Sequence, residues 1–467
     1  MTTSRRQFLA AAVPAAAPLV VPRRLFGSAA PGNHIRIGQI GCGRIARGHD
    51  MPALLRCGDR ARIVAVSDLD SVRLADGKAL VESHYAEQYG AAGFEAVKTC
   101  ADYHEIIADK SIDAVCISLP DHWHAQPAIE AALAGKDIYL QKPASLTIAE
   151  GRQIADVIAK TGRILQIGSQ QRSDAHFRLA CELVRNGRIG RIVEIHIGLP
   201  VDPPGDEEPE MPVPPNLNYE MWLGSTPSVY YTEKRVHPQS PGIRARYERP
   251  GWLRCEQFGA GMITGWGVHH VDIAHWAMGT EDTGPVEIAA SAEFPKRGLW
   301  DVHGPFHVRA RYANGATMYL SDKYPNGLRF IGEDGWIWVT RGKYKPGDPQ
   351  PGQPRSAAID ASDLRMLREG TRDSEVHLHA SAGGEHHLDW LESIRTRKPP
   401  AAPAEAGHRA CSACLLAHAA MKLNRTLRWD PVHERFENDE EANAMLSRPQ
   451  RAPYGTNGVL EKAALRR

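Results

Sequence analysis

One short segment constrains the fold of this chain more than any other. Residues 35–46 read Ile-Arg-Ile-Gly-Gln-Ile-Gly-Cys-Gly-Arg-Ile-Ala. Ile35, Ile37 and Ile40 make the short apolar run of a buried parallel strand. Gly41, Gly43 and Ala46 then occupy the three small-residue positions of a G-x-G-x-x-G/A turn. Gly41 permits the tight turn, Gly43 lets backbone approach a pyrophosphate, and Ala46 lets the following helix pack on the strand. The helix N-terminus faces the phosphates, with Arg44 and Ile45 inside the turn as further cofactor contacts. A second strand over 61–68 ends in Asp68. An acidic side chain there binds both ribose hydroxyls and repels a 2′-phosphate, which favours NAD over NADP. The competing reading is a tight turn in another α/β protein, with Asp68 capping a helix.

Residues 115–143 form a second ordered block. A strand ends in Pro120 and is followed by His122, Trp123 and His124; a helix closes at Gly135, and the next strand ends in Gln141-Lys142-Pro143. Strands and helices alternate from 34 to 172, as a doubly wound Rossmann sheet requires. The next domain, 173–440, changes character. Strand candidates within 192–199, 287–294, 306–313, 316–322, 328–334 and 335–341, most of them without helices between, predict an α+β domain with a largely antiparallel open sheet. Residues 200–218 and 341–380 read as long loops and 441–467 as a C-terminal tail.

The N-terminus carries an address. Arg5-Arg6, then Phe8-Leu9, a Pro-broken apolar stretch and Ser28-Ala29-Ala30 read as a removable twin-arginine (Tat) signal over 1–30. This predicts engagement with the Tat export machinery and a periplasmic or extracellular location. The stretch is too short and too broken for a stable membrane span. A net charge of +1 over 467 residues gives no support for a nucleic-acid partner. Cys411 and Cys414 sit in a helical run without a second Cys pair and read as packing residues; no metal site is expected.

With these segments in place, the chain resembles the Gfo/Idh/MocA family of NAD(P)-dependent oxidoreductases, in its exported, Trp-rich branch. The resemblance rests on the Gly-rich turn, the Pro–His–helix–Lys-Pro block, and residues 259–279 around Trp266 and His269. It implies that Pro120, His124, Gln141 and Lys142 border the nicotinamide, and that Lys142 and His269 are the catalytic pair. A cation beside a hydroxyl stabilises a developing alkoxide, and a neutral imidazole takes the proton. It further points to Arg172, Trp252, His270 and Asp272 as substrate contacts, with Gln170, Trp222, Arg235, His237, Arg244 and Arg254 nearby, and to a homo-oligomer. Two family carboxylates are missing: Gln141 stands for the glutamate of Glu-Lys-Pro, and Gly265 for the aspartate of D-x-x-x-H. The implied function is an exported NAD-dependent oxidoreductase acting on a small-molecule carbohydrate, namely a sugar, polyol or glycoside. The alternatives are glycoside cleavage by transient oxidation and elimination, and a non-catalytic sugar binder with a vestigial nucleotide fold.

Overall fold

A computed structural model describes residues 34–239, 249–342 and 358–465. The predicted export signal and Arg244 lie outside the described residues. The first sheet contains β1 (Ile35–Ile40), β2 (Ala61–Ser67), β3 (Lys98–Cys100), β4 (Ala114–Ile117), β5 (Asp137–Leu140) and β6 (Leu165–Ile167). Its order is β3-β2-β1-β4-β5-β6, parallel throughout. This is the doubly wound arrangement expected from the sequence. The direction of winding reverses between β1 and β4, which opens a crevice at the carboxyl ends of those strands. β4 and β5 are buried along their whole length, which is why they read as apolar runs and not as alternating strands. β3 is three residues long, too short to leave a sequence pattern.

The second sheet holds β7 (Ile192–Gly198), β8 (Glu287–Ala292), β9 (Phe306–Arg311), β10 (Thr317–Ser321), β11 (Gly327–Gly332), β12 (Trp336–Val339), β13 (Ile359–Ala361), β14 (Leu427–Asp430) and β15 (Arg435–Phe436). Its order is β13-β12-β11-β7-β10-β9-β8-β14-β15. Only β7 and β10 pair in parallel. β9 shows the one-sided burial behind this: Phe306, Val308 and Ala310 are buried, while His307, Arg309 and Arg311 are exposed. The buried face packs on helices Ala175–Arg185, Gly267–Met278 and Ala404–Leu423.

The chain beyond 385 returns to the first sheet. Trp390, on helix His386–Thr396, is fully buried in one cluster with Ile37 and Tyr139. In helix Ala404–Leu423, Cys411 and Cys414 are buried free thiols, and Glu405 receives both Arg152 Nη atoms at 2.8 Å. The stretch read as a tail contains helices Glu440–Ala444 and Thr456–Leu465. Tyr454 packs edge-on against Trp123 at 5.6 Å, and Gly455 N donates to Gln126 Oε1 at 2.7 Å. A low density of apolar residues hid this segment from sequence reasoning; Met445, Leu446 and Leu460 pack on the core, and Arg448 and Arg451 bond backbone carbonyls of the second domain.

Candidate active site

The Gly-rich turn is built as its sequence requires. Gly41 has φ +87°, and a Cβ there would lie 2.5 Å from Ser118 O. At Gly43 a Cβ would meet no atom within 4 Å, so the backbone there borders open cleft. Asp68 ties the turn to the end of β2: Cys42 N donates to Oδ2 at 2.7 Å and Asp70 N to Oδ1 at 2.9 Å. A cleft of about 870 Å³ follows, lined by Gly41, Gly43, Arg44, Ile45, Asp68, Pro120, Gln141 and Lys142 among others. That size lies toward the upper end of the roughly 300–1,000 Å³ of small-molecule sites. The open backbone at Gly43 and the carboxylate at Asp68 fit the pyrophosphate and ribose of NAD.

His124 belongs behind this wall. Its Nδ1 lies 2.5 Å from Pro143 O and its Nε2 2.9 Å from Leu119 O. Burial pushes the imidazole down to about 4, so it is neutral and donates one N–H between these carbonyls. It ties the end of β4 to the Lys-Pro turn and does not face the cleft.

The second domain closes the cleft at both ends. Asp70 accepts from Asn216 Nδ2 at 2.9 Å, His237 Nε2 at 3.0 Å and Gln239 Nε2 at 3.2 Å, which lays His237 and Pro238 over the cofactor groove. Trp222 and Trp252 line the cleft, and Trp222 O accepts from Trp123 Nε1 at 2.9 Å.

At the chemical end, Lys142 Nζ donates to Gly265 O at 2.7 Å. Asp121, which the sequence reading passed over, lines the same cleft. Burial pushes Lys142 down to about 8, with Asp121 opposing and Arg249 and Arg341 adding to the shift. Burial pushes Asp121 up to about 7 against the charge of Lys142. His269 lies behind this pair, outside the cleft lining, 5% exposed. Burial and then the charge of Arg341 push it well below the usual imidazole range, and its Nδ1 has no hydrogen-bond partner among the described residues.

Both missing carboxylates have structural counterparts. Gln141 Nε2 donates to Asp50, a fully buried side chain on the helix after the Gly-rich turn. Asp50 also accepts from Ser118 Oγ at 2.7 Å and His387 Nε2 at 3.2 Å. Burial alone would raise its pKa, but the bonds from His387 and His49 hold it below the usual carboxylate range. His49, Asp50 and His387 bring ligand-type atoms within 4.8 Å of one another, and the donors around Asp50 account for that cluster as a hydrogen-bond network. At Gly265, Arg249 takes the place of the absent side chain and pairs with the buried Asp202.

Three predicted substrate contacts lie elsewhere. Arg172 and Asp272 are spent on one another, Nε to Oδ2 and Nη2 to Oδ1 both at 2.7 Å, and both are buried. Arg172 also reaches Glu281 at 2.7 Å, which makes the pair a brace between helices and not a wall of the cleft. His270 is buried, with Nε2 2.9 Å from Asn326 Oδ1 and its ring stacked on Trp266. Gln170 bonds Tyr139, Arg235 stacks on Tyr230 and Arg254 on Trp300. Asp121 carried a readable signal, since it follows Pro120 at the strand end where the sheet winding reverses. Asp50 and Arg249 carried none, because their partners are far away in sequence.

Comparison with known proteins gives the same assignment. Residues 35–169 match the NAD-binding Rossmann-fold model of an oxidoreductase family, and 205–339 with 376–456 match that family's C-terminal alpha/beta domain. The chain is 32% identical over 182 residues to the uncharacterized oxidoreductase YrbE of Bacillus subtilis, covering 39% of this chain and 46% of that protein. It is 33% identical over 174 residues to myo-inositol 2-dehydrogenase of Thermotoga maritima, covering 37% and 48%. These alignments span about half the length of the curated relatives. Among solved structures, the WlbA dehydrogenase of Chromobacterium violaceum, in complex with NADH and UDP-GlcNAcA, superposes with TM-score 0.59 at 18% identity, covering 85% of this chain and 96% of that one. The aldose-aldose oxidoreductase of Caulobacter crescentus gives 0.56 at 19% identity, covering 85% and 99%. With both domains matched in order and the cleft built for a dinucleotide, the chain belongs to the Gfo/Idh/MocA family of NAD-binding oxidoreductases.

Proposed function

We propose that this oxidoreductase is exported by the twin-arginine route and moves a hydride between a hydroxyl-bearing carbon of a sugar, polyol or glycoside and nicotinamide. The observation that carries the reading is that Lys142 lines the same cleft as the Gly41–Gly43 turn and Asp68. Bound there, NAD supplies the hydride acceptor. Asp68 and the turn backbone hold the cofactor, and Trp222 and Trp252 offer apolar faces to a sugar ring. Lys142 Nζ, pushed down to about 8, is able to accept the hydroxyl proton near neutral pH. His269, outside the cleft lining, is a neutral imidazole. Arg5-Arg6 supports export, and a route that moves folded proteins lets the cofactor travel with the enzyme.

The test is to purify the mature protein, release any bound nucleotide, and offer sugars, polyols and glycosides with and without added NAD. Absorbance of reduced nicotinamide that depends on one of these substrates is the expected result. Reduction by none of them would favour the non-catalytic sugar binder.

A second reading draws on Asp121. Redox-assisted glycoside cleavage needs a base for the hydroxyl and another for the adjacent C–H, and in one cleft burial raises the pKa of Asp121 and lowers that of Lys142. With an aryl glycoside, many equivalents of aglycone per bound NAD and no net NADH support cleavage. One ketone per NADH, with the glycoside intact, supports dehydrogenation.

A further inference from the structure

Lys142 has Arg249 and Arg341 around it, and Asp121 in the same cleft opposes the charge of Lys142 and Arg249. Lys142 Nζ is bonded to Gly265 O, so position 265 adjoins the amine. A Cβ at Gly265 would lie 3.0 Å from Arg249 Nη2, its nearest neighbour. Where the family pattern has an aspartate, this chain presents a guanidinium, and the sign of the charge at that point is inverted. Arg249 Nη1 is held by Asp202, but Nη2 is a buried donor without a partner among the described residues. A guanidinium has donors only, and leaving one of its N–H groups unmet is costly. Asp202 is itself shared with Arg254, so one carboxylate faces two guanidinium groups. Arg341 stacks on Trp266 and adds its field to His269 and Lys142. The Arg249 side chain keeps 18% of its surface exposed, and Pro250 and Trp252 beside it line the cleft, so the guanidinium lies against the cleft wall with Nη2 covered.

We propose that the substrate brings the missing carboxylate: the enzyme acts on a sugar acid or uronide, whose carboxylate is received by Arg249 Nη2 next to Lys142. Guanidinium–carboxylate pairing supplies both the charge and the acceptor atoms that Nη2 lacks. The proposal rests on the carbohydrate reading above and narrows its substrate class.

The test compares charged and neutral forms of one sugar on the full mature protein loaded with NAD. A methyl glucuronide and an aldonate are each set against their methyl esters, with methyl glucoside and glucose 6-phosphate as further arms. Binding is read by quenching of tryptophan fluorescence and turnover by reduced nicotinamide. At least one of the two acids is expected to bind ten-fold or more tightly than its ester, with the preference shrinking as salt rises. Arg249→Gln is expected to abolish that preference, and Arg249→Lys to retain part of it. Equal binding of acids and esters by the unaltered protein would overturn the proposal, whether or not the variants fold. A preference for glucose 6-phosphate without one for either carboxylate would overturn it too. If an acid binds through Arg249 but no sugar of any charge reduces NAD, the oxidoreductase reading of the substrate fails while the anion site stands.

Discussion

Gln141 Nε2 reaches both carboxylate oxygens of Asp50, at 2.8 and 3.0 Å, across 91 residues of sequence. The residue before Lys142 is therefore neutral because its neighbour already carries the charge. Gln141 Oε1 in turn accepts Lys142 N at 3.3 Å, so the buried carboxylate holds the strand end that presents the lysine.

Restoring the family residue here is expected to harm this protein. Gln141→Glu sets two carboxylates against each other in a buried site and should destabilise it by about 2–4 kcal/mol, in the range of unpaired buried charge. Adding Asp50→Asn restores one charge and one donor, and should recover most of the loss. Thermal unfolding of the two single variants and the double variant checks this. A Gln141→Glu protein as stable as the parent would show that the two side chains do not meet.

Asp68→Ala removes the carboxylate proposed to hold the ribose and also the acceptor for Cys42 N. NAD affinity should fall by about 10- to 100-fold, the range of hydrogen bonds to a charged group, while the bias against NADP relaxes. Titration with both nucleotides measures it. Unchanged affinity for both would mean that the end of β2 does not touch the cofactor.

Lys142→Ala should lower turnover more than ten-fold with the fold retained. Asp121→Asn tests the electrostatics. The Asp121 carboxylate supports the charged form of Lys142. Its removal makes the ammonium less stable, so the amine loses its proton at lower pH. The rising limb of the pH–rate profile for substrate oxidation, expected near 8 in the parent, should move toward acid. A limb that stays put or moves toward alkali would separate the two groups.

Arg172→Met leaves Asp272 buried without its guanidinium partner and Glu281 without one of its two. The cost expected is about 3–5 kcal/mol of stability, as for one side of a buried ion pair. NAD affinity of the folded fraction should change little. A large loss of sugar binding at unchanged stability would return Arg172 to the substrate site.

The sequence by itself determined the elements whose signals are local. The turn is legible because Gly41 takes a φ that favours glycine and would crowd Ser118 with a Cβ, and because Gly43 keeps the spacing of the pattern. Alternation along β9 and the continuous apolar run of β4 announce one-sided and two-sided burial, and so the two kinds of sheet. Lys142 was legible from the order of segments around it. Pairings between distant positions were decided by tertiary structure alone. Arg172 and Asp272 read as substrate contacts in the sequence, yet the fold buries them against each other. His124 and His270 became braces once backbone and side-chain acceptors closed around them. Asp50 and Arg249 gained their roles because chain folding brought them to Gln141 and Gly265. A hydrogen bond or an ion pair leaves no periodic trace in either partner's sequence, and so the partners of the residues around the cleft were legible only in three dimensions.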